Sequence, residues 1–417
     1  MVGCSAAPLM LLAPWALAPF LLTSAPVHAR YDASARAELR PRSILPGDAA
    51  TTRLSTDVEV TSQLRAQATA GRYGLSVLYG PRMLIREVQL DGQPQILHCV
   101  GLELGRTFQP YSRLFVSQSL SRGVTQFNLL SSPGVPGVSG PGSSPPTTGA
   151  PAVSTRPIPI VRRIEYLESE SLVGLDLRLD RRRLLSTRAG WYVSGGFGSV
   201  AEATLPLQAG PVLNSSLAFA ASRSDALVTT LNANHASFSS GERATLVAAS
   251  ETWRHAYDHT GTLAVSLGAS GSRLEQPLQA GPTAGFFPTA GVEWSQRVPL
   301  KGHRIEGTLG TSLQPTIDRF TGQVVQRLEG RFSSSWMAGQ EWRFQARGSA
   351  SNVVSSGPQQ GDKIALLELG AGVPFSRNFG TEVGVRSAWQ SSQVFTLQNA
   401  YQWLAYVSLS AGSQGPL

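Results

Sequence analysis

The sequence predicts an all-β fold, a closed antiparallel transmembrane β-barrel of about 18 strands, within a range of about 16 to 20. Three observations predict it. Apolar and polar residues alternate with period two along most of the chain, an export-type leader heads it, and no later apolar run reaches the roughly 18 residues of a helical span.

Composition narrows the fold classes first. The 417 residues are 41% hydrophobic and 15% charged, with 42 Gly and 27 Pro. That is too apolar for a disordered chain and too often interrupted for helices that cross a bilayer.

From Met1 to Ala29 there is no Lys, Arg, Asp or Glu, and the stretch ends in Val27, His28 and Ala29. Small residues flanking His28 predict a signal peptide over 1–29, cut after Ala29, although the usual positive n-region is missing. Pro14, Pro19 and Pro26 break the apolar run, which argues against a retained membrane anchor. Cys4 leaves with the leader, so Cys99 stands alone and no intramolecular disulfide is expected in the mature chain 30–417.

The strands declare themselves by alternation. Leu54, Thr56, Val58, Val60, Ser62, Leu64, Ala66 and Ala68 share one face, while Asp57, Glu59, Thr61, Gln63, Arg65 and Gln67 share the other. The pattern recurs in Leu263, Val265, Leu267 and Ala269, in Leu328, Phe332 and Trp336, and in Tyr401, Trp403, Ala405, Val407 and Leu409. About 17 segments are clear, an odd number for a bacterial single-chain barrel. Short and long connections alternate, with short ones near Gly71, Pro110, Arg223, Gly339 and Ser376. If short turns face the periplasm, one more strand must precede Leu54; Ala33, Ala35, Ala37 and Leu39, alternating with Ser34, Arg36, Glu38 and Arg40, supply it. Both termini are then periplasmic.

Tyr73, Phe108, Tyr111, Trp191, Tyr257, Trp336, Trp342 and Phe379 are expected near short turns as an interfacial girdle, and Tyr401 and Trp403 are further interface aromatics. Residues 131–159 are dense in Pro, Gly and Ser and read as a long extracellular loop rather than a linker between two domains. Residues 410–417 follow the last apolar position as a short tail.

A search for chemistry finds no catalytic constellation, no phosphate-binding Gly-rich loop and no Cys-x-x-Cys pair, so no cofactor and no enzymatic activity is expected. His255 and His259 have the spacing of helical metal ligands, but here they straddle a β-turn, so no metal site is expected. The chemistry lies in the polar face. Arg65, Arg72, Arg82, Arg297, Arg304, Arg327, Arg331, Arg343, Arg347 and Arg386 are predicted to line the lumen, with Asp57, Glu59, Glu293, Glu329, Glu368 and Glu382. Such charges are costly against lipid and tolerated in water, where they brace the wall and set selectivity. The surplus of Arg would focus anions or acidic polymers. The pI of about 9.9 does not indicate nucleic-acid binding, since basic residues fall at alternate strand positions rather than in a patch with aromatics.

On these residues the chain resembles Gram-negative outer-membrane β-barrels of the porin-like kind, across nearly everything after Ala29. The terminal strand Tyr401 to Leu409 is similar to the aromatic-alternating signal read by the barrel-assembly machinery, though residues follow where that signal ends. A weaker resemblance is to stand-alone barrels of polysaccharide export systems. It implies a passive conduit for hydrophilic cargo, polysaccharide before small solutes, with outer-membrane lipid, the assembly machinery and a periplasmic polysaccharide export protein as partners. A structural or adhesive barrel acting through residues 131–159 is the alternative, and a barrel enzyme the third.

Overall fold

The structure, a computed structural model, describes residues 26–44, 53–85, 94–109, 112–127, 161–277, 281–339, 342–355, 361–376, 378–392 and 400–416. The expected leader up to residue 25, the loop 131–159 and the girdle residue Tyr111 lie outside them.

The first strands are β1 (Val27–Ile44), β2 (Arg53–Ala70), β3 (Tyr73–Tyr79), β4 (Arg82–Ile85), β5 (Pro94–Gln109), β6 (Ser112–Phe127) and β7 (Val161–Arg178). After β8 (Arg183–Gly196) comes a short helix, α1 (Ser199–Thr204). Then follow β9 (Gln208–Ala220), β10 (Asp225–Phe238), β11 (Arg243–Ala256), β12 (Gly261–Glu275) and β13 (Thr283–Leu300). The last six are β14 (His303–Ile317), β15 (Val324–Ala338), β16 (Trp342–Val353), β17 (Lys363–Pro374), β18 (Phe379–Ser391) and β19 (Ala400–Pro416).

All pairings are antiparallel between neighbours, and β1 closes the cylinder on β19. β3 and β4 both lie between β2 and β5, so they share one position and the wall has eighteen staves. The break falls at Gly80 and Pro81, where Pro81 has no N–H to give. The ladder is kept by the Gly80 N–H donating to the Cys99 carbonyl and the Ser62 N–H donating to the Pro81 carbonyl, at 2.8 and 3.1 Å.

The closing strands are longer than expected. β1 pairs from Val27 opposite Ala70, so its ladder begins upstream of Ala29. β19 runs on through residues 410–416 instead of ending in a tail, because β1 offers them partners from Arg36 opposite Ser410 to Arg30 opposite Pro416.

The turns at one rim, where both described ends also lie, have four residues or fewer, and the other rim carries the long connections, with one four-residue hairpin between β10 and β11. The alternation sorts the two faces. Leu267, Leu309, Leu367, Val383 and Leu409 are exposed on the outside, while Glu38, Asp57, Glu59 and Ser408 are buried on the inside. Aromatics gather at the short-turn rim: Trp336 and Phe344 stack at 5.1 Å, Trp342 and Phe344 at 6.0 Å, and the Trp294 indole donates to the Tyr257 hydroxyl at 2.9 Å. Tyr73 and Phe108 lie there too, both under the Arg106 guanidinium. Trp191 does not belong with them. It faces outward past the middle of β8, toward the long-connection rim, because β8 leaves the short-turn rim at Arg183, well upstream of Trp191. Tyr401 and Trp403 follow the β18–β19 connection and also lie toward that rim.

A charge on the two faces should behave differently. Leu309→Arg, pointing outward in the middle of β14, should destabilise the barrel by about 2–4 kcal/mol, whereas Thr308→Arg, pointing inward, should cost little. Urea titrations of both variants folded in lipid vesicles check this; equal costs would mean the faces are assigned wrongly.

Candidate functional site

The inner wall carries a continuous charge network because opposite charges fall in register. Arg347 of β16 is opposite Glu368 of β17, which is opposite Arg386 of β18. Glu368 accepts from Arg386 at 3.1 Å, and Arg386 also approaches Glu38 at 3.6 Å. Glu38 binds Arg36 at 2.7 Å and Arg40; Glu59 takes Arg40 and, at 2.8 Å, Arg82. Arg36 reaches Glu382 at 3.4 Å. Elsewhere Glu306 takes Arg297 and Arg304, Arg331 pairs with Glu293, and Arg113 with Glu103. Pairs of this kind contribute about 0.2–1 kcal/mol each.

Missing side chains let long ones lie flat on the wall. Tyr406 rests over Gly384, where an added Cβ would come within 2.6 Å of its ring and hydroxyl. From there its hydroxyl donates to Glu382 at 2.6 Å and Glu368 at 3.2 Å, with the Arg386 and Arg36 guanidiniums 4.5 and 5.8 Å from the ring centre. Gly310 stands in register between Glu293 and Arg331, which join across it.

A cavity of about 800 Å³ opens on this wall. Arg36, Arg40, Arg82, Arg331, Arg347 and Arg386 line it together with Glu38, Glu59, Glu329 and Glu368. Arg65 and Asp57 also face inward on β2, and Arg343 does so on β16 near the short-turn rim. Two expected lining residues are placed otherwise. Arg72 sits in the exposed turn between β2 and β3 and donates to the Phe108 carbonyl at 3.3 Å. Arg327 points inward but is fully buried. The β1 charges Arg36, Glu38 and Arg40 were legible as a polar strand face; Tyr406 carried no signal beyond its parity.

What covers Arg327 is the tip of the β14–β15 hairpin. The β13–β14 ladder stops at Ala290 opposite Leu313, while β14 and β15 stay paired out to Ile317 opposite Val324. The freed tip turns into the barrel. Ile317 packs with Ala236, Phe238 and Ala244, and Phe320 packs on a cluster of Leu97, Cys99, Ile164, Tyr166, Ala201 and Leu205. The Arg319 guanidinium lies 5.9 Å from the centre of the Tyr166 ring on β7, far round the wall from β14. Helix α1 enters the same cluster through Ala201, followed by Leu205.

Asp318 builds the tip. One carboxylate oxygen accepts the Phe320 and Thr321 N–H groups at 3.0 Å and the Thr321 hydroxyl at 3.1 Å; the other faces Arg327 at 3.5 Å. Gly322 takes a φ of 66°, which suits glycine, and an added Cβ would meet the Phe238 ring at 3.3 Å. The lumen is therefore partly filled near the long-connection rim, beside the cavity.

Replacing residues 318–323 by a short Gly-containing turn should enlarge single-channel conductance in planar bilayers; unchanged conductance would mean the tip does not restrict the passage. Arg327→Met leaves Asp318 buried without its cation, which should cost about 3–5 kcal/mol and speed amide exchange over 317–325. Adding Asp318→Asn should recover part of that loss, and a double variant no better than the single would refute the pairing.

The chain matches no curated protein. Among solved structures it is similar to OpdO of Pseudomonas aeruginosa, with 13% identity, TM-score 0.46, and 93% of this chain and 97% of that one covered. It is also similar to OccAB3 of Acinetobacter baumannii, with 9% identity, TM-score 0.48, and 93% and 99% covered. The outer membrane protein OpdK of Pseudomonas aeruginosa gives 10% identity, TM-score 0.44, and 93% and 99% covered. A family model, the EpsX exopolysaccharide export family, matches residues 21–417, and the chain belongs to that family.

Proposed function

We propose that this outer-membrane barrel is the passive conduit by which an exopolysaccharide leaves the cell. The family match over residues 21–417 carries the reading. The lumen supports it on physical grounds. A sugar polymer is covered in hydroxyl groups and needs a wet wall that trades hydrogen bonds with it, and eighteen staves enclose room for such a passage. Short turns and both termini face the periplasm in this reading, and the long connections face outward. Lipid surrounds the barrel, the barrel-assembly machinery inserts it, and a periplasmic polysaccharide export protein hands over the polymer. No step of bond making or breaking is assigned to the chain. The hairpin tip must yield when polymer passes, since it packs across the inner face near the outer rim.

Deleting the chain from its host should abolish surface polysaccharide while leaving uptake of small hydrophilic solutes unchanged. Re-expression should restore it. Normal surface polysaccharide with slowed solute uptake would replace export by general diffusion.

A further inference from the structure

We infer that the polymer handled here is anionic, a polysaccharide bearing carboxylate or sulfate groups, and that the guanidiniums of the cavity are what it meets. This rests on the conduit reading above. Formal charge nearly balances along the wall, but the two signs are not equally presented. Side-chain exposure is 33% for Arg36 against 6% for Glu38, and 25% for Arg82 against 7% for Glu59. It is 27% for Arg113 against 8% for Glu103, and 55% for Arg331 against 42% for Glu293. Arg386 and Glu368 are equally exposed, at 24% and 23%, but in the Arg36, Arg82 and Arg331 pairs of the cavity the shorter carboxylate is the more covered partner, so these pairs present mainly N–H donors to cargo.

Arg347 adds an uncompensated charge. It is exposed on the cavity, makes no ion pair among the described residues, and bonds only weakly to the Gln345 amide oxygen at 3.3 Å. Its register partner Glu368 is already engaged by Arg386 and by the Tyr406 hydroxyl. Neutral sugars are usually gripped by stacking on aromatic faces. Among the lining residues the one aromatic, Phe332, belongs to the outward face of β15, and Tyr406 is buried under two guanidiniums. Planar guanidinium forks instead match oxyanions two hydrogen bonds at a time.

The test uses the full chain in planar bilayers at low salt, with oligogalacturonate, dextran sulfate oligomers and uncharged maltodextrin of matched length. Either acidic oligomer should half-block the current at about a tenfold lower concentration than maltodextrin, a gap that narrows as salt rises. The stronger of the two identifies the substituent. Arg331→Gln with Arg347→Gln should shrink the gap about threefold while the channel still opens. Block by maltodextrin at equal or lower concentration would overturn the inference and leave the conduit standing, as would a gap indifferent to both substitutions. If no oligomer affects the current, the conduit reading itself falls.

Discussion

Every peptide group in this wall must find its partner within the wall, because hydrocarbon offers none. Seventeen of the eighteen seams could form and still leave two open edges; the β1–β19 seam removes them. That constraint explains why both closing strands run longer than their alternation suggests. Once β1 presents N–H and C=O groups as far as Val27 on its β2 side, the C-terminal residues through Pro416 are drawn into strand geometry on its other side, although Ser410, Gly412 and Gly415 have little propensity for it.

A sealed cylinder then divides the side chains by parity. Outside, leucines and valines meet lipid at no cost. Inside, charges must share a narrow space, and opposite charges in register on adjacent staves make that tolerable. Glycines on the wall matter for the same reason: Gly384 and Gly310 leave slots in which Tyr406 and Arg331 lie, so the network is thin and the passage is not choked by its own bracing. The carboxylates anchor, and the arginines they anchor face the water.

The fold was legible because period two is enforced where each strand has an apolar medium on one side and water on the other, and here it recurs over about 17 segments. Even the first strand, Ala33 to Leu39, followed from counting turns, since a closed barrel whose every seam is antiparallel requires an even number of staves with both ends at one rim. Individual lining residues were legible only as parity. Parity places Arg327 and Arg347 on the same face and cannot tell that one is sealed beneath a hairpin while the other stands in the cavity. It fails at Arg72 because a turn residue has no parity. Trp191 shows the same weakness in register: its face is right, but its height depends on where β8 begins.

The infolded hairpin was missed, yet it left a trace in the alternation. Near the long-connection rim the inward face stops being polar: Leu78, Leu97 and Cys99 on one side of the barrel, Ile164 and Tyr166 beyond them, and Ala236, Phe238 and Ala244 further round. An apolar residue on the wet face costs free energy unless something covers it, so a run of them at the ends of neighbouring strands demands an occupant from inside the barrel. Phe320, in a connection that otherwise reads as an ordinary loop, and Ile317, at the end of β14, are that occupant. The same reasoning sets how firmly the tip is held. Apolar contact alone would let it swing in and out, but Asp318 ties its fold to Arg327, a cation buried on the wall beneath it. Withdrawing the tip exposes both charges to water, which lowers the penalty for leaving even as the apolar contact is lost. Held by opposing terms of this kind, the tip is stable at rest and leaves at a smaller cost than its apolar contact alone would set.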